Sequence, residues 1–269
     1  MKEITNRRLT KIITITMLFV FSVTVLHPIW TFAKNDISIE KVRRNLIAQF
    51  EKVEDYMVRV KVTVDMPKFR MPSKTIDVAF KQPDKMKVES TGFAIAPKSG
   101  MHFSPKDIFE KIEDAQVTDS EYLDGEFHWV VTGQINPDSA QQAMGAPAKG
   151  MDKPVQMLLW IDPDRWVISK TETRSGEQVL MEMVASYQQF SDGIWLPERT
   201  EVQFTFPEGF MGSMPDPDEM ADEFSAEHQK GGEQLGAAPE PIRGSVIMEF
   251  MNYKVNSGIK DSFFNNAEY

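Results

Sequence analysis

Few residues of this chain have the type and spacing that catalysis or metal binding needs. Cysteine is absent, which removes disulfides, thiolate metal sites, Fe–S clusters and thiol nucleophiles together. The four histidines are His27, His102, His128 and His228, and no two stand at a ligand spacing. A nucleophile elbow, a phosphate-binding loop and a dinucleotide-binding glycine pattern are all missing. His128 sits beside Trp129 in a strand-like run and reads as structural. Asp162 and Asp164 make a carboxylate pair, but Pro163 between them marks ordinary turn chemistry. Asp216, Asp218, Glu219, Asp222 and Glu223 cluster without the glycine and terminal glutamate of a calcium loop, so they read as a solvated acidic segment. The expectation is a protein that is not an enzyme and uses no metal or cofactor.

Methionine is the abundant functional type, with 17 in 269 residues. Met57, Met66, Met71, Met86, Met157, Met181, Met183, Met248 and Met251 fall on or beside predicted strands. Met144, Met151, Met211, Met214 and Met220 fall in two long loop-like stretches. Methionine is flexible and polarizable, so it suits surfaces that repack around variable apolar partners. Two methionine-bearing loops over a curved sheet suggest lids on an apolar cavity.

The elements that would hold such a cavity follow from hydrophobic period. Val42, Leu46, Ile47, Phe50 and Val53 form one apolar stripe, which predicts a helix over Ile39–Tyr56. The period then drops to two. Val58, Val60, Val62 and Val64 alternate with polar residues in a strand over Met57–Asp65. Ile76, Val78 and Phe80 make a second strand, and Met86 and Val88 begin a third. A short amphipathic helix follows at Pro105–Ile112. Strands are predicted at Ala115–Tyr122 and Glu126–Gly133 around the turn Leu123-Asp124-Gly125. Four more, Val155–Ile161, Arg165–Thr173, Glu177–Phe190 and Ile194–Phe206, are joined by compact turns and must therefore run antiparallel. A last strand spans Ile242–Val255. The pattern has no βαβ alternation, which excludes doubly wound and TIM folds. What remains is a meander of about nine to eleven antiparallel strands, a sheet that must curl or close.

The chain opens with an address. Lys2, Arg7, Arg8 and Lys11 precede the apolar run Ile12–Trp30, and Thr31-Phe32-Ala33 resembles a processing site. Residues 1–33 therefore read as a secretory signal peptide cleaved after Ala33. The rest, 34–269, reads as a single domain with insertions at about 136–154 and 207–241. The second insertion carries nine acids and one base among 35 residues. Cleavage takes the net charge from -10 to -13, because four bases and one acid leave. So acidic a chain does not suit nucleic acid.

Several phrases resemble a known family in their order. "FEKVEDYMVRVKVTV" at Phe50–Val64 and "FKQPDKMKVES" at Phe80–Ser90 are similar to the opening of LolA/LolB-like domains. "WIDPDRWVISKTE" at Trp160–Glu172 and "SDGIWLPERTEVQF" at Ser191–Phe204 resemble their central strands. "YKVNSGIKDSFF" at Tyr253–Phe264 is similar to their last strand and cap. The resemblance implies a mainly β fold, a curved, half-open antiparallel barrel around a helical plug. It implies a periplasmic carrier that holds acyl chains of lipids or lipoproteins in a hydrophobic cavity for transport to the outer membrane. Its partners would be an inner-membrane exporter or an outer-membrane acceptor. A branch resembling the RseB/MucB regulators implies the alternative, an envelope-stress sensor that binds lipid and an anti-sigma factor. Arg59 is the candidate for the carriers' cavity arginine. Val58, Val60, Val62, Ile76, Val78, Phe80, Met86, Val88, Met181, Met183, Val202, Phe204, Met248 and Phe250 are expected on the concave face as the ligand-binding set, and over Val179–Val184, where both faces are apolar, the opposite parity would serve equally well.

Overall fold

The structure, a computed structural model, describes residues 37–66, 69–70, 72–89, 104–135, 154–206 and 242–265. The predicted signal peptide, nearly all of both predicted insertions and the five loop methionines lie outside these residues. Helix α1 spans Ile39–Phe50, and strands β1 to β4 span Asp55–Met66, Phe69–Arg70, Lys74–Lys81 and Lys85–Glu89. Helix α2 is Pro105–Lys111, followed directly by β5 at Ile112–Leu123 and then β6 at Glu126–Ile135. Strands β7 to β11 are Val155–Asp162, Val167–Ser175, Gln178–Gln189, Trp195–Phe206 and Ile242–Val255.

The described strands form one antiparallel sheet in the order β4-β3-β1-β11-β10-β9-β8-β7-β6-β5, with the two-residue β2 paired to β1. Strands β4 and β5 are the two ends of that order and do not pair with each other, so the curved sheet is half-open. The later strands follow the predicted meander. The first strands, β1, β3 and β4, also pair in chain order, and the meander leaves out only the pairing of β1 with the last strand, β11, on its other side. Their register pairs Val60 with Phe250 and Val62 with Met248.

Helix α1 starts where its chemistry says it should. Ser38 Oγ accepts a hydrogen bond from the Lys41 amide at 3.3 Å, and Glu40 lies in the first turn, where the helix dipole favours an anion. It stops six residues before the predicted end. The apolar spacing that runs on to Val53 is helical in form, but Val53 belongs to a turn whose amide bonds back to the Phe50 carbonyl. The next residues are taken by the far end of the chain. Asn256 Oδ1 accepts from the Glu54 amide at 2.8 Å, and the Asn256 amide donates to the Asp55 carbonyl at 2.8 Å.

That end of the chain forms a strap over the start of β1. The Asp55 carboxylate, 2% exposed, accepts from the Ser257 amide and hydroxyl, the Gly258 amide and the Ile259 amide at 2.8–3.0 Å. Presenting three successive amides to one carboxylate needs a backbone that turns through the left-handed region, as it does at Asn256 (φ 50°) and Gly258 (φ 74°). Burial by itself raises the pKa of Asp55, and the hydrogen bonds from Ile259, Ser257 and Gly258 outweigh it, holding the group below its ordinary value. Farther along, Asp261 pairs with Lys81 at 2.6 Å and Lys85 at 2.7 Å, which lowers its pKa to about 2.

One face of the sheet carries two separate apolar cores. The first joins Val53, Tyr56, Val58, Val60, Val62, Ile76, Val78, Phe80, Ile194, Leu196 and Met248, with Phe50 from α1 packed against it. The fully buried Phe80 ring lies 5.9 Å from Phe50 and 5.2 Å from Tyr56. The second core joins Val42 and Leu46 of α1 to Phe109 and Ile112, and to Val131, Leu159, Ile161 and Ile168 of the sheet. Helix α1 thus lies against the inner face and feeds both cores, which is the plug arrangement. At Gly133 a Cβ would run into Ile112 Cγ2 and the Glu113 carbonyl oxygen, so only glycine lets β5 come this close.

Candidate functional site

The register fixes which side chains share the inner face between the two cores. One rung runs Val64, Val246, Val202, Met183, Thr171, Leu159, Val131, Val117 across eight strands. The next rung runs Gly244, Phe204, Met181, Thr173, Met157, Gly133. Towards β5 the first rung is closed: Val131 and Leu159 are fully buried under α1 and α2. Towards β10 and β11 it opens, with Val202, Val246 and Val64 only half-buried. The second rung is more open still. Met157 and Phe204 are half-buried, and Met181 is 39% exposed, one of few large apolar side chains so exposed among the described residues. Thr173 between them is buried, at 7%.

This rung lies at a particular end of the sheet. Strands β4, β6 and β10 all run towards it, and their C-terminal ends lead to residues 90–103, 136–153 and 207–241. The opposite end is closed by short connections at Gln82–Asp84, Asp124–Gly125 and 163–166, and by the C-terminal strap.

The expected ligand-binding set divides by burial. Val58, Val60, Val62, Ile76, Val78, Phe80, Met248 and Met183 are buried, and all of these except Met183 belong to the first core. Met86, Val88, Val202 and Phe250 are half-buried and pack against it. Met181 and Phe204 sit on the open rung. The structure therefore brings the set onto one face but commits most of it to packing. Parity alone missed Val64, Met157, Thr171, Thr173 and Val246. The threonines were visible in principle, since Thr171 and Thr173 alternate with the charged Lys170 and Glu172 in a predicted strand.

Arg59 is not on this face. It pairs with Asp77 at 2.9 Å on the opposite side, with half its side chain exposed, so the cavity-arginine assignment is corrected. That side carries further ion pairs. Lys61 meets Glu249 at 2.7 Å, Arg199 meets Glu201 at 3.0 Å, and Lys170 lies between Glu172 and Glu182 at 2.8 and 2.7 Å. Glu172 is 4% exposed; burial raises its pKa, and the hydrogen bonds from Lys170 and Arg174 outweigh that and lower it.

Two of the chemistry-bearing residues singled out from sequence, His128 and Asp162, meet at the closed end beside Glu126, which was not among them. His128, Glu126 and Asp162 lie near enough to one another to suggest a metal triad. Their groups are already engaged. His128 Nδ1 is 2.9 Å from the Glu126 carbonyl and Nε2 is 2.9 Å from Ser169 Oγ. A carbonyl only accepts, so Nδ1 holds the proton. Asp162 Oδ1 accepts from the Asp164 and Arg165 amides at 2.8 and 2.9 Å, which is the turn chemistry read from Asp162-Pro163-Asp164. The Arg165 guanidinium joins both carboxylates. Arg165→Met should therefore cost about 1–3 kcal/mol of stability, read by urea denaturation, because it removes the partner of Asp162 Oδ2 while Oδ1 keeps its two amides and Glu126 stays solvated.

No family model matches this chain, and no curated protein matches it. Solved structures do. A DUF1329 family protein from Desulfovibrio piger is similar over 84% of this chain and 96% of its own, at 9% identity and a TM-score of 0.49. A putative outer membrane lipoprotein-sorting protein domain from Vibrio parahaemolyticus is similar over 84% and 97%, at 12% identity and a TM-score of 0.49. A LolA superfamily protein from Nitrosomonas europaea is similar over 82% and 96%, at 12% identity and a TM-score of 0.46.

Proposed function

We propose that this protein is a periplasmic carrier that shields an acyl chain of a lipid or lipoprotein against the open rungs of its inner face. The observation that supports this most directly is the gradient of cover along those rungs, from fully buried Leu159 to 39% exposed Met181 on the same apolar face. On this face the partly covered methionine, valine and phenylalanine are contiguous along two rungs beside the two cores, the kind of patch that takes a further apolar body. An acyl chain has the matching need. Each methylene exposed to water costs about 0.8 kcal/mol, so a chain of about 15 carbons costs about 12 kcal/mol in transit. A face that is partly open and rich in methionine can shield such a chain and still release it.

The signal-like N-terminus supports export, with residues 1–33 removed on the way. Loading would come from an inner-membrane exporter and delivery would go to an outer-membrane acceptor. Native mass spectrometry of the protein purified gently from its own periplasm tests the reading. Co-purified lipid or acylated peptide supports it. A bare chain under conditions that retain lipid on known carriers overturns it.

A further inference from the structure

Two buried polar side-chain atoms lack a hydrogen-bond partner among the described residues, Gln82 Nε2 and Thr173 Oγ1. Gln82 is half-buried at the β3–β4 turn, at the closed end. Thr173 is different: it is 7% exposed and stands in the middle of the open rung, between Met157 on β7 and Met181 on β9. A buried hydroxyl without a partner is a standing cost, and valine has the same shape without it. The next inward residue along β8, Thr171, is also threonine where the neighbouring strands supply Leu159 and Met183.

The geometry points to Thr173 Oγ1 as a hydrogen-bond donor to the carbonyl oxygen of an acyl ester or amide, with the hydrocarbon chain lying over Met157 and Met181. This rests on the carrier reading and narrows it: the face selects acylated molecules over plain alkyl ones. The chemistry fits because an acyl carbonyl is the one polar group that always sits at the head of the chain. Its oxygen accepts a single hydrogen bond from a hydroxyl without carrying charge into an apolar place.

The test compares three probes with one chain length, each delivered from the same mild detergent: 1-monopalmitoylglycerol, its ether counterpart 1-O-hexadecylglycerol, and N-(2,3-dihydroxypropyl)palmitamide. Binding is read by displacement of a fluorescent fatty acid from the full-length mature chain. The ester and the amide should each bind about tenfold tighter than the ether. Thr173→Val should bring those ratios to about one without changing the ether's affinity, and Thr173→Ser should keep them. Thr173→Val should also raise the Tm of the free protein, which shows that it folds. An ester-only preference identifies glycerolipid-type ligands, and an amide-only preference identifies N-acyl ones. Equal binding of all three probes, or ratios that survive in Thr173→Val, overturns the role of Thr173 while leaving the carrier reading standing. Failure of every probe to bind overturns both.

Discussion

Met181→Asp should abolish acyl binding while leaving the fold intact. Met181 is 39% exposed, so a carboxylate there keeps contact with water in the free protein, and the stability cost should stay near about 1 kcal/mol. A bound chain would have to cover that carboxylate. The uncompensated desolvation costs at least about 3 kcal/mol, which is a loss in affinity of about 100-fold or more. Palmitate displacement and urea denaturation on the same preparation separate the two effects. A variant that binds normally would place the chain elsewhere. Val58→Asp cannot serve in its place, because Val58 is 4% exposed within the first core and its replacement would unfold the protein.

The second large effect is on stability. Asp55→Ala should cost about 3–5 kcal/mol, since it deletes the acceptor of four hydrogen bonds and leaves three amides and a hydroxyl facing an apolar methyl group. Hydrogen exchange should show residues 256–265 losing protection before the sheet does. Acid should act in the same place. Both Asp55 and Asp261 have folded pKa values below their ordinary ones, so each contributes stability above about pH 4 that fades as pH falls through its folded value. For Asp261 that value is about 2, so its contacts with Lys81 and Lys85 should persist at pH 4 and be gone below pH 2. Retention of the strap at pH 1.5, followed by the exchange of the Ile259 amide, would contradict this account.

The strand parity of β1 could be read directly from its sequence, whereas over Val179–Val184 both faces are apolar and parity stayed open. Val58, Val60 and Val62 alternate with Arg59 and Lys61, and the structure puts the valines inside and the cations in ion pairs outside. Turns were legible for a similar reason, because proline, glycine and aspartate have few other uses in such clusters. What could not be read depends on residues far apart in the chain. Nothing near Tyr56 says that Asn256 will occupy the backbone groups at Glu54 and Asp55, so the apolar spacing from Val42 to Val53 extended the helix too far. The pairing of β1 with β11 joins residues about 190 positions apart, and no local pattern announces it. Within the candidate site, parity named the face but not its cover. Phe80 and Met181 have the same apparent status in sequence; one is fully buried and the other is not, because α1 reaches only the first.

The two cores have a mechanical consequence. They share no residue of the sheet, and between them lies a band of buried Thr171, Thr173 and Thr200. Among the described elements only α1 enters both, through Val42 and Leu46 on one side and Phe50 on the other, so a change that displaces this helix should uncover both cores at once.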